Sequence, residues 1–222
     1  MLWPMTSSSF VAKSSSSGSR SQRACRKAAR SSRALGGAIV ARDDAHLERL
    51  RFVRTCTGGI QTPFNAWLTI QGLKTLGVRL QRQSETAERL AEWLVAHDLT
   101  KRVHYPTLAS AEQRAIAERQ HLGAHGAVVS FELTGDAAAA QRVLENVRLC
   151  RLVEHVGSVE TLLTHSATMT HGGVPAHERE LAGITDGLLR ISVGLEPFDA
   201  IVADLDAAFT SANQRASQEV SA

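Results

Sequence analysis

The sequence predicts an α/β or α+β protein, and three observations predict it. From about residue 100 onward, short apolar strands alternate with amphipathic helices. Before them runs one long helical pattern from Thr62 to His97. Near the end, Leu189, Ile191 and Val193 fall on one face of a strand while Arg190 and Ser192 fall on the other, the period-2 pattern of a sheet covered on one side.

Each element has a local reason. Gly37 to Ala41 reads as a short buried strand. Asp43 or Asp44 can cap a helix whose Leu47, Leu50 and Val53 share a face. Gly58-Gly59 breaks the chain into a loop. Thr62 is an N-cap with Pro63 at the first helical position, where a missing N–H costs nothing. Trp67, Ile70, Leu73, Leu80, Ala87, Leu90 and Leu94 then keep helical spacing, and Gly72 and Gly77 allow one bent helix or two abutting ones. Further on, strands are predicted at residues 103–105, 127–133, 161–164 and 188–194, and helices at 110–121, 136–147 and 176–182. The last helix turns Phe198, Ile201, Val202, Leu205 and Phe209 inward. The polar end beyond residue 211, above all 216–222, is expected to fray.

Composition narrows the function. The chain has 222 residues, 43% of them hydrophobic and 21% charged, the balance of an ordinary globular protein. No apolar run reaches the roughly 18 residues of a membrane span. The net charge of +3 is uneven. Residues 1–42 hold eight Lys or Arg and no acid, so 25 minus 8 leaves 17 basic against 22 acidic residues elsewhere, a net of −5. An acidic body argues against nucleic acid as a ligand, and neither nucleic acid nor membrane is expected as a partner. The Ser/Arg-rich stretch 1–34 is expected to be a disordered basic tail. An organelle transit peptide shares that composition, but a solvated tail or a mistranslated start is the favoured reading. Cys25, Cys56 and Cys150 form neither a disulfide framework nor a zinc site, which suggests a reducing, cytoplasmic compartment.

Arg190 is the first candidate for chemistry. An arginine inside an apolar strand is expensive unless paired, and its fork suits a carboxylate. From spacing alone, an internal salt bridge is the favoured reading.

Four blocks carry a resemblance. They are LGGAIVA (35–41), PFNAWLTIQGLKTLGVRLQRQSETAERLAEWL (63–94), GAVVSFEL (126–133) and GSVETLLTHSATMTHGGVPAHERELAGITDGLLRISVGLE (157–196). In order and spacing they resemble the C-terminal half of the Cys/Met-metabolism pyridoxal-phosphate (PLP) enzymes. That family includes cystathionine synthases and lyases, methionine γ-lyase and O-acylhomoserine sulfhydrylases.

The resemblance implies a PLP-dependent transferase type I (aminotransferase-like) fold. Residues 35–98 would end the large PLP domain and 99–215 would form the small C-terminal domain. It implies pyridoxal 5'-phosphate as cofactor, a small amino-acid substrate, and a homo-oligomer or pairing with a full-length relative. Arg190 would bind the substrate α-carboxylate, with Ser192 beside it. Glu160 would read the distal group, which leans toward γ-type chemistry or cystathionine handling. A solvated loop carboxylate is the plainer alternative for Glu160.

Two positions depart from the family. His155 stands where the family usually has Ser or Asn, which leaves substrate preference open. The Schiff-base lysine motif S-x-T-K-x-x-x-G-H is also missing. Only Lys13, Lys27, Lys74 and Lys101 are present, and Lys27, at about the right distance, shares nothing else with the motif. The abrupt join at Leu35 suggests truncation or a frameshift. The chain alone is therefore expected to be inactive, and a non-catalytic remnant docking on a full-length paralogue is the alternative. Apolar surface is expected to be exposed around Trp67 and Leu73.

No metal site is expected. His121-x-x-x-His125 has ligand spacing, but Gly123 and Gly126 break a helix there. His165, His171 and His177 have no Cys or carboxylate cluster to complete a site. His177-Glu178-Arg179-Glu180 is not H-E-x-x-H.

Overall fold

A computed structural model describes residues 9–13, 36–121, 123–135 and 137–220, with side chains described for 36–121, 123–135 and 137–214. The chain divides into two compact units, residues 1–76 and 77–222.

In the first unit, β1 (Ser9–Lys13) pairs in parallel with β2 (Gly37–Ala41). The expected disorder of residues 1–34 falls outside the described residues except at β1, where Phe10-Val11-Ala12 is an apolar run able to join a strand edge. α1 (Asp44–Thr57) starts at Asp43, whose side chain accepts the His46 N–H, and stops at Gly58 in the left-handed region. Of its expected apolar face only Leu47 is buried, and Val53 is 48% exposed. α2 (Pro63–Lys74) begins at Thr62, whose hydroxyl accepts the Asn65 N–H. No residue of α2 is buried, and Phe64, Trp67, Ile70 and Leu73 lie exposed. That is the surface expected around Trp67 and Leu73.

The long helical pattern resolves into two helices, because α2 ends at Thr75 and α3 (Leu76–Val95) follows. In the second unit a five-stranded sheet has the order β3-β4-β7-β6-β5. Its strands are β3 (Thr100–His104), β4 (Val128–Leu133), β5 (Arg151–Leu152), β6 (Leu162–His165) and β7 (Leu188–Ser192). All neighbours are antiparallel except β5 and β6. The helices are α4 (Ala111–Gln120), α5 (Ala137–Asn146), α6 (Ala176–Leu181) and α7 (Phe198–Val220).

One sheet face carries the core. Val129, Phe131, Leu163, Leu189 and Ile191 cluster with Leu90 and Leu94 of α3, Val143 and Leu144 of α5, and Ile201, Leu205 and Phe209 of α7. Burial of each such side chain contributes about 1.5–3 kcal/mol. Trp93 of α3 stacks on Phe209 at 6.0 Å between centroids, and Arg89 lies 3.9 Å over the Phe198 ring. These contacts explain why α3 goes with the C-terminal unit: its apolar stripe is covered there. α7 runs to Val220, past the expected fraying point. Its end contains Ala, Gln, Arg and Glu with no Gly or Pro, so nothing stops it.

Candidate substrate-carboxylate site

The uncovered logic of the sheet lies on its other face. In β7 the alternation places Arg190 opposite Ser130 of β4 and Thr164 of β6. These three polar side chains therefore form a row across three adjacent strands. Arg190 is half-buried. Its Nη2 donates a long hydrogen bond of 3.4 Å to Thr164 Oγ1, and its buried Nε makes none. Thr164 is itself committed, since its hydroxyl donates to the Val153 carbonyl at 2.7 Å.

No carboxylate among the described residues forms an ion pair with Arg190. Burial pushes its pKa down from the ordinary value, and the negative charge of Glu154 works the other way. A guanidinium stays charged in proteins, so a half-buried, under-bonded one presents unused donors to an anion. The salt-bridge reading favoured by spacing alone is not what the structure contains.

The loop leading into β6 lies beside the end of β7 and is tied to it. Ser192 is 1% exposed, and its Oγ accepts the Gly157 N–H at 3.0 Å. Gly157 has φ +85°, a conformation that suits glycine. Gln83 of α3 donates to the carbonyls of Ser158 at 2.7 Å and Val193 at 2.8 Å. Glu196 accepts the Thr161 N–H at 2.8 Å and its hydroxyl at 2.7 Å. The Thr161 oxygen accepts the Gly194 N–H at 2.9 Å. A Cβ on Gly194 would strike the Glu160 carbonyl carbon and the Thr161 nitrogen at 2.5 Å, so the two segments touch along their backbones.

The structure thus groups the sequence candidates unevenly. Arg190 and Ser192 share β7, but the Ser192 hydroxyl is engaged in holding the loop. His155 is half-buried in that loop. Glu160 is half exposed and pairs with the still more open Arg151 at 3.3 Å, an ion pair worth about 0–1 kcal/mol. Gln83, Thr161 and Glu196 did not emerge from the sequence reading. Gln83 leaves one legible trace: it falls on the same helical stripe as Leu80, Ala87, Leu90 and Leu94, where a polar residue needs partners.

The cofactor side is another matter. Lys74 Nζ bonds Gln71 within its own helix at 3.3 Å. Lys101 Nζ pairs at 3.7 Å with Glu132, whose other oxygen accepts the Thr185 hydroxyl. Lys13 and Lys27 have no described side chains. Both lysines with described side chains are thus engaged with neighbouring residues, and neither lies in the S-x-T-K motif.

A family profile for Cys/Met metabolism PLP-dependent enzymes matches residues 30–210. The chain belongs to that family. It is 42% identical over 175 residues to the cystathionine β-lyase of Coxiella burnetii, covering 78% of this chain and 45% of that protein. It is 40% identical over 173 residues to the O-succinylhomoserine sulfhydrylase of Pseudomonas aeruginosa, covering 78% of this chain and 42% of the other. A crystal structure of cystathionine γ-synthase from Xanthomonas oryzae pv. oryzae, in complex with aminoacrylate and cysteine, superposes with a TM-score of 0.77 at 40% identity. It covers 83% of this chain and 47% of the other. The fold is accordingly that of the PLP-dependent cystathionine enzymes, and the family is a PLP family. The chain spans less than half the length of the curated relatives it matches. Among the described residues no helix is long and apolar enough to cross a membrane.

Proposed function

We propose that this chain supplies the substrate-binding side of a PLP-dependent transsulfuration enzyme acting on a sulfur amino acid or an activated homoserine. The observation that carries the reading is Arg190: a half-buried guanidinium with a partnerless Nε and no ion pair among the described residues. Its fork accepts an α-carboxylate in two parallel hydrogen bonds, orienting the amino acid by one end. Glu160, on the loop clamped to the end of β7, would then meet the distal group, and His155 would border the same loop. Ser192 acts by holding Gly157. The free thiols of Cys56 and Cys150 agree with a reducing, cytoplasmic setting.

The catalytic amine is the missing part. None of the four lysines lies in the S-x-T-K motif, so these 222 residues alone are expected to be inactive unless another segment supplies the anchor. The test is to mix the purified chain with PLP, follow the visible spectrum, and assay β- and γ-elimination from cystathionine and methionine. No protein-dependent absorbance band and no turnover are expected, and robust elimination would overturn the reading. Carboxylate binding is separable. Methionine should shift the NMR resonances of residues around Arg190, and Arg190→Met should abolish those shifts.

A second reading is favoured by α2. Its exposed Phe64, Trp67, Ile70 and Leu73 suit a non-catalytic module that docks on a full-length relative or assembles with its own copies. Co-purification with such a relative supports it, and a monodisperse, dye-silent monomer counts against it.

A further inference from the structure

His121 and His125 are spaced as a helical metal pair that two glycines interrupt, yet the structure brings them together without a helix. α4 stops at Gln120, and His121 adopts an extended conformation with φ −97° and ψ 127°. Gly123 and Gly126 take φ +75° and +92°, values that let the chain turn sharply. The turn sets Nδ1 of His121 3.0 Å from Nδ1 of His125. The ring centroids are 5.3 Å apart and the planes are inclined by 61°.

The C-terminal side of this turn is held by buried groups. Tyr105 Oη donates to the Gly126 carbonyl at 2.9 Å, and the Gly126 N–H donates to Ser84 Oγ at 3.2 Å. Tyr105 and Ser84 are each 4% exposed. The Tyr105 ring also meets His125 edge-on, at 6.5 Å and 81°. His125 therefore follows a fixed backbone, while its ring remains half-buried and open to solvent.

We propose that His121 and His125 chelate one divalent transition-metal ion through their Nδ1 atoms, on adjacent coordination positions, with water completing the shell. Imidazole nitrogens bind such ions at about 2.0–2.1 Å, so two donors on neighbouring corners of a square or octahedron lie about 2.9 Å apart and two on a tetrahedron about 3.4 Å. The separation of 3.0 Å fits the first geometry. Square-planar or tetragonal nitrogen sites select Cu(II) or Ni(II), and Cu(II) stands highest in the affinity order. Among the described residues no group of three or more His, Cys, Asp or Glu is placed to hold an ion, so solvent must fill the other positions. Without an ion, one proton sits between the two Nδ1 atoms, one ring donating and the other accepting. The ion takes the place of that proton, which passes by way of solvent to Nε2 of the donating ring, so that both imidazoles bind as neutral Nε2–H tautomers. The bound ion would join the end of α4 to the approach to β4, the strand whose Ser130 flanks Arg190.

The test is titration of the full chain with Cu(II), followed by calorimetry and electron paramagnetic resonance. One equivalent with a two-nitrogen spectrum is expected. His121→Gln and His125→Gln should each weaken it by at least about tenfold, because either removes the chelate. His46→Gln and His177→Gln, at exposed positions, should leave the two-nitrogen spectrum unchanged. A single-nitrogen spectrum, or an affinity that both variants leave intact, would overturn the proposal. A second measurement needs no variant: substoichiometric Cu(II) should broaden the imidazole resonances of His121 and His125 before those of the other seven histidines. Broadening that begins elsewhere would overturn it as well.

Discussion

α2 and α3 follow each other in the chain and differ in almost everything that burial decides. α2 is apolar on several sides and buries nothing, with Phe64 66% and Trp67 54% exposed. α3 has a single apolar stripe, and its Ala87, Leu90, Ala91 and Leu94 are all at 0%. A helix apolar all round is built to be covered on more than one side. A helix with one stripe needs one partner surface, and the sheet with α5 and α7 provides it. The lesson is that hydrophobicity states a demand for burial, while only the neighbours meet it.

That comparison can be broken first in the core. Phe131→Ala and Leu90→Ala should each cost about 3–5 kcal/mol, read by chemical unfolding, because each leaves a cavity in packed surroundings. A cost below about 1 kcal/mol would mean that this core is not packed as described.

The clamp between α3, the 157–161 loop and β7 comes next. Gln83→Ala leaves the carbonyls of Ser158 and Val193 without their donor and should cost about 1–3 kcal/mol. The same variant should weaken methionine binding at Arg190 if the loop helps form the site. Loss of stability with binding unchanged would confine Gln83 to the fold.

Asp204 sharpens the comparison through pH. Burial raises its pKa, but the N–H groups of Cys150, Leu149 and Arg148 together hold the carboxyl below its usual value. A carboxyl whose pKa is depressed on folding contributes stability that is present above its unfolded value, near pH 4. That stability is lost as pH falls through the lower folded value. Wild type should therefore lose stability in the acid range below about pH 4 more steeply than Asp204→Asn. Parallel acid limbs would show that the α7 contact does not depend on this charge.

Two smaller effects close the series. Arg190→Met should leave stability within about 1 kcal/mol of wild type or raise it slightly, since no ion pair is lost among the described residues. A loss of about 3 kcal/mol or more would mark Arg190 as structural and remove the proposed site. Trp67→Ser should change stability by no more than about 0.5 kcal/mol while lowering the binding of a hydrophobic dye. An equal cost to Phe131→Ala would erase the contrast between the two helices.

Much of this was legible beforehand where the physics is local. Thr62, and Asp43 or Asp44, were readable as caps because a hydroxyl or carboxylate two or three residues before free N–H groups satisfies them, and the structure uses Asp43. The strands at 127–133 and 188–194 appear as β4 and β7 within one or two residues. The five-residue π-helix Ser166–Thr170 was missed, because its sequence SATMT has no pattern distinguishing it from a loop. For the site, the direction of Arg190 followed from alternation. Its lack of an ion pair among the described residues did not, because that depends on which strands lie beside β7.

By itself the sequence determined most of the helices and strands, though not β1, β5 or the π-helix, together with the two faces of β7 and the family. These rest on neighbours a few residues apart and on blocks that can be matched along the chain. The tertiary structure alone decided the strand order β3-β4-β7-β6-β5, the Gln83 bridge to residues 75 and 110 positions away, and the meeting of two histidines across a glycine turn. Those depend on which distant segments come to share one buried surface, and no local periodicity records that choice.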